Sequence, residues 1–239
     1  MKPTIVLVHG AFAESSSWND VIGPLMREGH RVIAYAAPLR GLASDAAGLT
    51  DLVRSLEGPV VLAGHSYGGA LISNVPADAG DVQGLVYVAG YALNPGESCA
   101  DASGLAPGST LVPTLVSVPL SGGGADLYID PAKYHEQFAD DLPAEQTTLM
   151  AVTQRPATQA ALFEPSGESP LWRSVPSWFI FGERDRNIPV GAHRIMAERA
   201  GARRTAEIAG ASHVVGMSHP GETAQMILEA ATAAAPVGA

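Results

Sequence analysis

An α/β domain built on a mostly parallel sheet, with helices on both faces, is the fold class this sequence predicts. Three observations lead there. Apolar runs of strand length, such as TIVLVHG (4–10) and PVVLAGHS (59–66), are nearly continuous rather than alternating, as strands buried on both faces are. Amphipathic helical stretches separate them, the alternation that builds βαβ units. The rhythm breaks once, between residues 92 and 174, and then resumes.

The elements follow in order. TIVLVHG is a β-branched run of strand length. In SSWNDVIGPLMREG (16–29), Trp18, Val21, Ile22, Leu25 and Met26 fall on one helix face, and Gly29 stands where a C-cap belongs. RVIAYAAP (31–38) is a second strand, and LASDAAGLTDLVRSLEG (42–58) is helical by the spacing of Leu49, Leu52, Val53 and Leu56. PVVLAGHS is a strand, YGGALISNVPADAG (67–80) opens as a helix, and VQGLVYVAGY (82–91) is a strand. Residues 92–174 hold much of the Pro and Gly, as in LAPGSTLVPTLVSVPLSGGG (105–124), with helical pieces near 131–142, 143–155 and 156–163. A strand (175–185), a helix (190–200), a strand with its loop (204–213) and a last helix (220–235) complete the pattern, and the Ala-rich tail (230–239) ends helically and then frays. The expected division is a core of 1–91 and 175–239 with 92–174 inserted as a small helical cap. As an independent domain, about 80 residues rich in loop would have a thin core.

Composition narrows the function. A chain of 239 residues suits one such domain with an excursion. Hydrophobic residues make up 46% and charged residues 16%, enough for a sizeable core. With 14 Lys and Arg against 24 Asp and Glu, the formal charge is −10. An acidic surface repels phosphate backbones and anionic headgroups, so neither nucleic acid nor membrane is an expected partner. The single cysteine, Cys99, excludes an intramolecular disulfide. The opening MKPTIVLVHG is too short for a signal h-region, and no stretch approaches the roughly 18 apolar residues of a membrane span. A cytoplasmic location is the expectation. The histidines are scattered, with no H-x-x-x-H and no C-x-x-C, so no metal site is expected.

One stretch carries chemistry. Gly64-His65-Ser66-Tyr67-Gly68 is a G-x-S-x-G between an apolar strand and a helix. A nucleophile on so sharp a turn takes strained backbone angles, and only small residues two places either side avoid clashes. Ser66 is the candidate nucleophile. His213, in the loop after the last strand, is the candidate base and His219 its competitor. Asp185, just past a hydrophobic strand, is the candidate orienting carboxylate, with Glu183 the alternative. His30, His135 and His193 read as surface residues. A tetrahedral intermediate needs two backbone N–H donors. One belongs to Tyr67. The other comes from HGAF, where Phe12 is the preferred donor and Ala11 the alternative, Ala11 otherwise lining the site. Tyr91, Tyr128, Trp172 and Val214 complete the candidate substrate contacts, with Phe138, Met150 and Phe163 as further cap residues.

LVHGAF, GHSYGG, GERDRNIP and GASHVVGMSHP together give the chain a resemblance to the α/β-hydrolase superfamily over nearly its whole length. Within it, the chain is similar to small bacterial esterases related to plant methylesterases and hydroxynitrile lyases; PLRGLASDAAGL and TQRPAT resemble features of those bacterial members. The resemblance implies a Ser-His-Asp triad, no cofactor, a short cap over 92–174 and, in many members, a homodimer. The similar lyases carry threonine after the first-strand histidine and lysine after the catalytic histidine. This chain has Gly10 and Val214, which point away from cyanohydrin cleavage. The expected activity is hydrolysis of small-to-medium neutral carboxylic esters. Two other classes compete: a cofactor-free lyase or oxygenase using the same site for proton abstraction, and a ligand receptor on a hydrolase fold.

Overall fold

The computed structural model describes residues 1–233; the end of the tail, 234–239, lies outside the described residues. In chain order the strands are β1 (Thr4–Val8), β2 (Val32–Tyr35), β3 (Pro59–His65), β4 (Asp81–Val88), β5 (Leu115–Pro119), β6 (Ala125–Ile129), β7 (Ala157–Thr158), β8 (Ser177–Gly182) and β9 (Arg204–Ile208). Six of them form one sheet in the order β2-β1-β3-β4-β8-β9, every neighbouring pair parallel. The central strands are buried along most of their length, and the edge strands β2 and β9 are half-buried or exposed. That difference explains why the central runs read as continuous apolar blocks.

The helices are α1 (Asn19–Arg27), α2 (Leu42–Arg54), α3 (Tyr67–Ser73), α4 (Cys99–Ser103), α5 (Pro131–Phe138), α6 (Ala144–Thr153), α7 (Gln159–Phe163), α8 (Val190–Arg199), α9 (Val215–Ser218) and α10 (Pro220–Ala233). Helix α1 packs on α10, which covers β3, β4 and β8, while α2 packs on α3, which covers β1, β3 and β4. The α1 stripe buries Val21 and Leu25, preceded by buried Trp18, but Met26 at its margin is 60% exposed. Cys99 is buried at the start of α4, behind a Ser98–Asp101 capping box. No described helix is long and apolar enough to cross a membrane.

Between β4 and β8 the chain carries the expected helices and something more. Strands β5, β6 and β7 form a second, antiparallel sheet. LVSVP and ADLYI pair across a turn in which Gly123 and Gly124 take φ of 92° and 76°. Two β-branched runs around a Gly-rich turn are a hairpin signal. Pro113 and Pro119 mask it, because proline reads as loop. Pro119 ends an edge strand, where its missing N–H costs the ladder nothing.

Candidate active site

Because every pair in the six-stranded sheet is parallel, the carboxyl ends of β1, β3, β8 and β9 share one edge, and the loops leaving them converge there. Ser66 lies between β3 and α3 with φ 52° and ψ −120°, strained for any residue but glycine. A Cβ on Gly64 would stand 2.4 Å from the Gly68 carbonyl oxygen, and one on Gly68 2.2 Å from that of Val8. The glycines of the motif are therefore sterically required. The Ser66 N–H donates to the carbonyls of Val88 and Ala89, and its own carbonyl accepts from Gly69 and Tyr91 N–H at 2.9 and 3.1 Å, which pins the peptide on both sides.

Asp185 lies just past β8 with its side chain fully enclosed. Oδ1 accepts from the N–H groups of Asn187 and Ile188 at 2.8 and 2.9 Å. Oδ2 accepts from His213 Nδ1 at 2.7 Å and His193 Nε2 at 3.0 Å. Burial by itself would raise this carboxyl; the two imidazoles, His213 foremost, overturn that and hold it well below the usual carboxylate range. Glu183, the alternative acid, is exposed and accepts from the Gly210 N–H.

His213 is buried, and with Nδ1 on Asp185 its Nε2 has no partner among the described residues. His65, beside Ser66 in the chain, donates from Nε2 to the His213 carbonyl at 3.0 Å, and the two rings stand 4.9 Å apart. Burial, with the charge of His213 acting in the same direction, pushes His65 down to about 3, so it is neutral at pH 7. The competitor His219 sits at the end of α9, its Nδ1 on the Ser218 hydroxyl.

The expected donor pair needs one correction. The Tyr67 N–H opens α3, where no carbonyl of the helix can reach it, and the Tyr67 phenol is anchored on Asp45 at 2.9 Å. The Phe12 N–H, by contrast, donates to the Arg155 carbonyl at 3.0 Å. Phe12 has φ 61°, and the turned loop directs that N–H to the 92–174 segment. The Ala11 N–H makes no backbone hydrogen bond among the described residues.

The candidate substrate contacts divide. Ala11 and Val214 are buried, and Val214 lines a small apolar hollow with Ala13, Trp18, His65 and Val88. Tyr91 meets Ser66 through its backbone, but its hydroxyl is taken by Ser103 at 2.7 Å. Trp172 donates from Nε1 to the Leu93 carbonyl, and Tyr128 sits opposite Val116 in the hairpin. No hydrogen bond or ring contact joins either to Ser66, Asp185 or His213 among the described residues.

Two features went unread in the sequence. His193, expected at the surface, is fully buried and bonded to Asp185. Only its place in α8, one turn after the Asp185 loop, hints at this. The other is one face of α5. Tyr134 donates to the Phe12 carbonyl at 2.8 Å, Gln137 to Asn187 Oδ1 at 2.7 Å, and the Phe138 ring lies 5.2 Å from that of His213. Their i, i+3, i+4 spacing signals a buried face, but not what it is buried against. Just beyond α5, Asp141 accepts from the Ser212 hydroxyl and, at 3.0 Å, from its N–H. A groove of about 250 Å³ opens beside this face, lined by Phe12, Glu14, Tyr134, Met150, Gln154 and Met217.

A parallel sheet with a strained serine after one strand and a His–Asp pair on loops of the same edge has the architecture of an α/β hydrolase. The chain belongs to the alpha/beta hydrolase family, whose sequence profile matches residues 5–226. Solved structures with the same fold include polyneuridine aldehyde esterase, 20% identical over 96% of this chain and 99% of that one, with a TM-score of 0.78. A pyrethroid hydrolase from Sphingobium faniae JZ-2 is 22% identical over 96% and 97% of the two chains, with a TM-score of 0.74. A variant of tomato methylketone synthase I complexed with beta-ketoheptanoate is 20% identical over 98% and 99%, with a TM-score of 0.78. At these identities the likeness speaks for the fold. No curated protein sequence matches.

Proposed function

We propose that the protein is a serine hydrolase of small, neutral carboxylic esters. One observation carries the reading: His213 gives Nδ1 to a buried carboxylate and keeps Nε2 unpartnered on the edge that presents the strained Ser66. His213 takes the proton of Ser66 Oγ as that oxygen attacks the ester carbonyl carbon. The oxyanion is held by the N–H groups of Tyr67 and Ala11. Asp185 fixes the tautomer of His213 and stabilises its cation. The carbon–oxygen bond to the alcohol breaks as His213 protonates the departing oxygen. A water deprotonated by His213 then cleaves the acyl-enzyme and returns Ser66. The unpartnered His213 Nε2 is open to the Ser66 hydroxyl, and catalytic hydrogen bonds of this kind commonly tighten only in the complex.

Observations on the groove and on Gly10 support the substrate class and the reaction. The groove of about 250 Å³ beside Phe12 and Tyr134 opens next to the loop that carries the Ala11 N–H, and neither Ser66 nor His213 lines it. Its one carboxylate, Glu14, is paired with Arg155 at 3.0 Å, so the groove offers no free charge. A Cβ on Gly10 would stand 2.5 Å from Ser66 Cβ, so this turn has no room for the threonine that the similar lyases carry there. The esterase and the pyrethroid hydrolase among the structural neighbours point to the same reaction class. In this reading residues 92–174 act as the cap, docked through α5.

Labelling with a fluorophosphonate, followed by peptide mass spectrometry, tests the reading. The adduct is expected on Ser66 and is lost in Ser66→Ala and His213→Ala, with ester turnover down by roughly 10⁴–10⁶. A folded protein that takes no label overturns the assignment. Undiminished turnover in Ser66→Ala would favour proton abstraction.

A further inference from the structure

Asp185 Oδ2 is shared by two imidazoles, and the reaction as written uses only one of them. The second, His193, projects from α8, is 0% exposed and lies flat on Phe181, with centroids 4.7 Å apart and planes 10° from parallel. Its Nε2 meets Oδ2 at 3.0 Å, while its buried Nδ1 has no partner among the described residues. A carboxylate only accepts, so Nε2 carries the proton and Nδ1 the lone pair. Protonating Nδ1 would add a buried N–H with nothing to receive it and a second positive charge near His213. Burial accordingly drives this imidazole toward its neutral form, against the pull of Asp185.

We infer that His193 is a positioning residue for the Ser66 reaction: an imidazole that, through Nε2–H, holds the plane of the Asp185 carboxylate and shares with His213 the oxygen on which His213 depends. The inference rests on the ester-hydrolase reading. Its physical content is twofold. With two backbone N–H groups on Oδ1 and two imidazole N–H groups on Oδ2, the carboxylate cannot rotate away from His213. An oxygen that already accepts one hydrogen bond is also a weaker partner for the second, so His193 keeps Asp185 from holding the His213 cation too firmly for it to release its proton to the leaving group. The titratable groups facing His193 are Asp185 and His213; Tyr91 and His65 also lie in the field of the carboxylate.

His193→Phe keeps the ring on Phe181 and removes the donor, and His193→Gln restores a donor without the ring. In His193→Phe, kcat is expected to fall roughly 10–100-fold, the range typical when a group that orients a functional side chain is lost, with KM little changed. The acid limb of kcat/KM should move to higher pH, because the freed carboxylate holds the His213 cation more tightly. His193→Gln should recover most of the rate and return the limb. Wild-type kcat with an unmoved limb in a folded His193→Phe protein overturns the inference, as does a His193→Gln protein no better than His193→Phe. The ¹⁵N resonances of the wild-type imidazoles decide the matter even where a variant fails to fold. At pH 7 His193 should be neutral with its proton on Nε2, and an imidazole that carries its proton on Nδ1 or titrates at the ordinary histidine value of about 6.5 would sink the proposal. That spectrum needs no turnover. A protein that takes no fluorophosphonate label at Ser66 would thus refute the hydrolase reading separately from the His193–Asp185 bond.

Discussion

The six-stranded sheet and the segment between β4 and β8 both contribute to the candidate site, but they are built on different kinds of information. The sheet holds its side chains by short-range rules. Its central strands are apolar along their length, its helices stripe at helical spacing, and its Ser66 turn has glycines where any Cβ would strike backbone. The segment holds its side chains by long-range contacts: Tyr134 to Phe12, Gln137 to Asn187, Phe138 to His213, Arg155 to Phe12 and Glu14. The sheet generates the edge that gathers Ser66, Asp185 and His213. The segment decides which groups on that edge remain free.

The sharpest way to test that division is a change confined to the edge. Asp185→Asn keeps the shape of the loop but favours the wrong tautomer of His213, and kcat on a small ester should fall by roughly 10⁴. A loss under tenfold would mean that the sheet edge does not carry the chemistry.

A change confined to the segment should read out as stability. Phe138 is fully buried against His213, His65, Phe12 and Tyr134. Phe138→Ala should cost about 3–5 kcal/mol in denaturant unfolding. A cost below about 1 kcal/mol would show that the segment does not depend on its contact with the His65 and His213 loops.

The smallest effect separates the regions by pH. His9, His65 and His193 are buried in the sheet core and its loops with pKa values lowered by burial, whereas His135 of the segment is exposed. A histidine whose folded pKa lies below its unfolded value contributes stability that is complete above the unfolded value and is lost as pH falls toward the folded one. For His65 that window runs from about 6.5 down to about 3. Within that window His65 should steepen the loss by about 1.4 kcal/mol per pH unit, and His9 and His193 act in the same direction. Urea titrations at pH 7, 6, 5 and 4 measure the slope. His65→Gln should be shallower by one proton, and an unchanged slope would place the acid sensitivity elsewhere.

Much of the fold was legible before any coordinates, because strand burial and helix striping are recorded in spacing. The hairpin of β5 and β6 escaped that reading: its turn glycines and Pro119 look like loop until the two runs are seen to pair. At the candidate site, the shared location of Ser66, Asp185 and His213 is legible because their loops follow strands of one parallel sheet, which places them on one edge whatever the rest of the chain does. The Phe12 expectation failed for the opposite reason. Which N–H stays free in HGAF depends on Arg155, and nothing near Phe12 announces that partner.

The sequence by itself determined the parallel sheet, the strained serine turn and the order in which Ser66, Asp185 and His213 reach one edge. Each follows from sterics and periodicity acting over a few residues. Tertiary structure alone decided that Ala11 rather than Phe12 keeps a free N–H, that α5 closes over His213, and that a second imidazole reaches Asp185. Those outcomes depend on which donors and acceptors meet when distant segments pack. A buried hydrogen bond is satisfied by whatever group the fold brings within reach, and sequence spacing carries no record of that meeting.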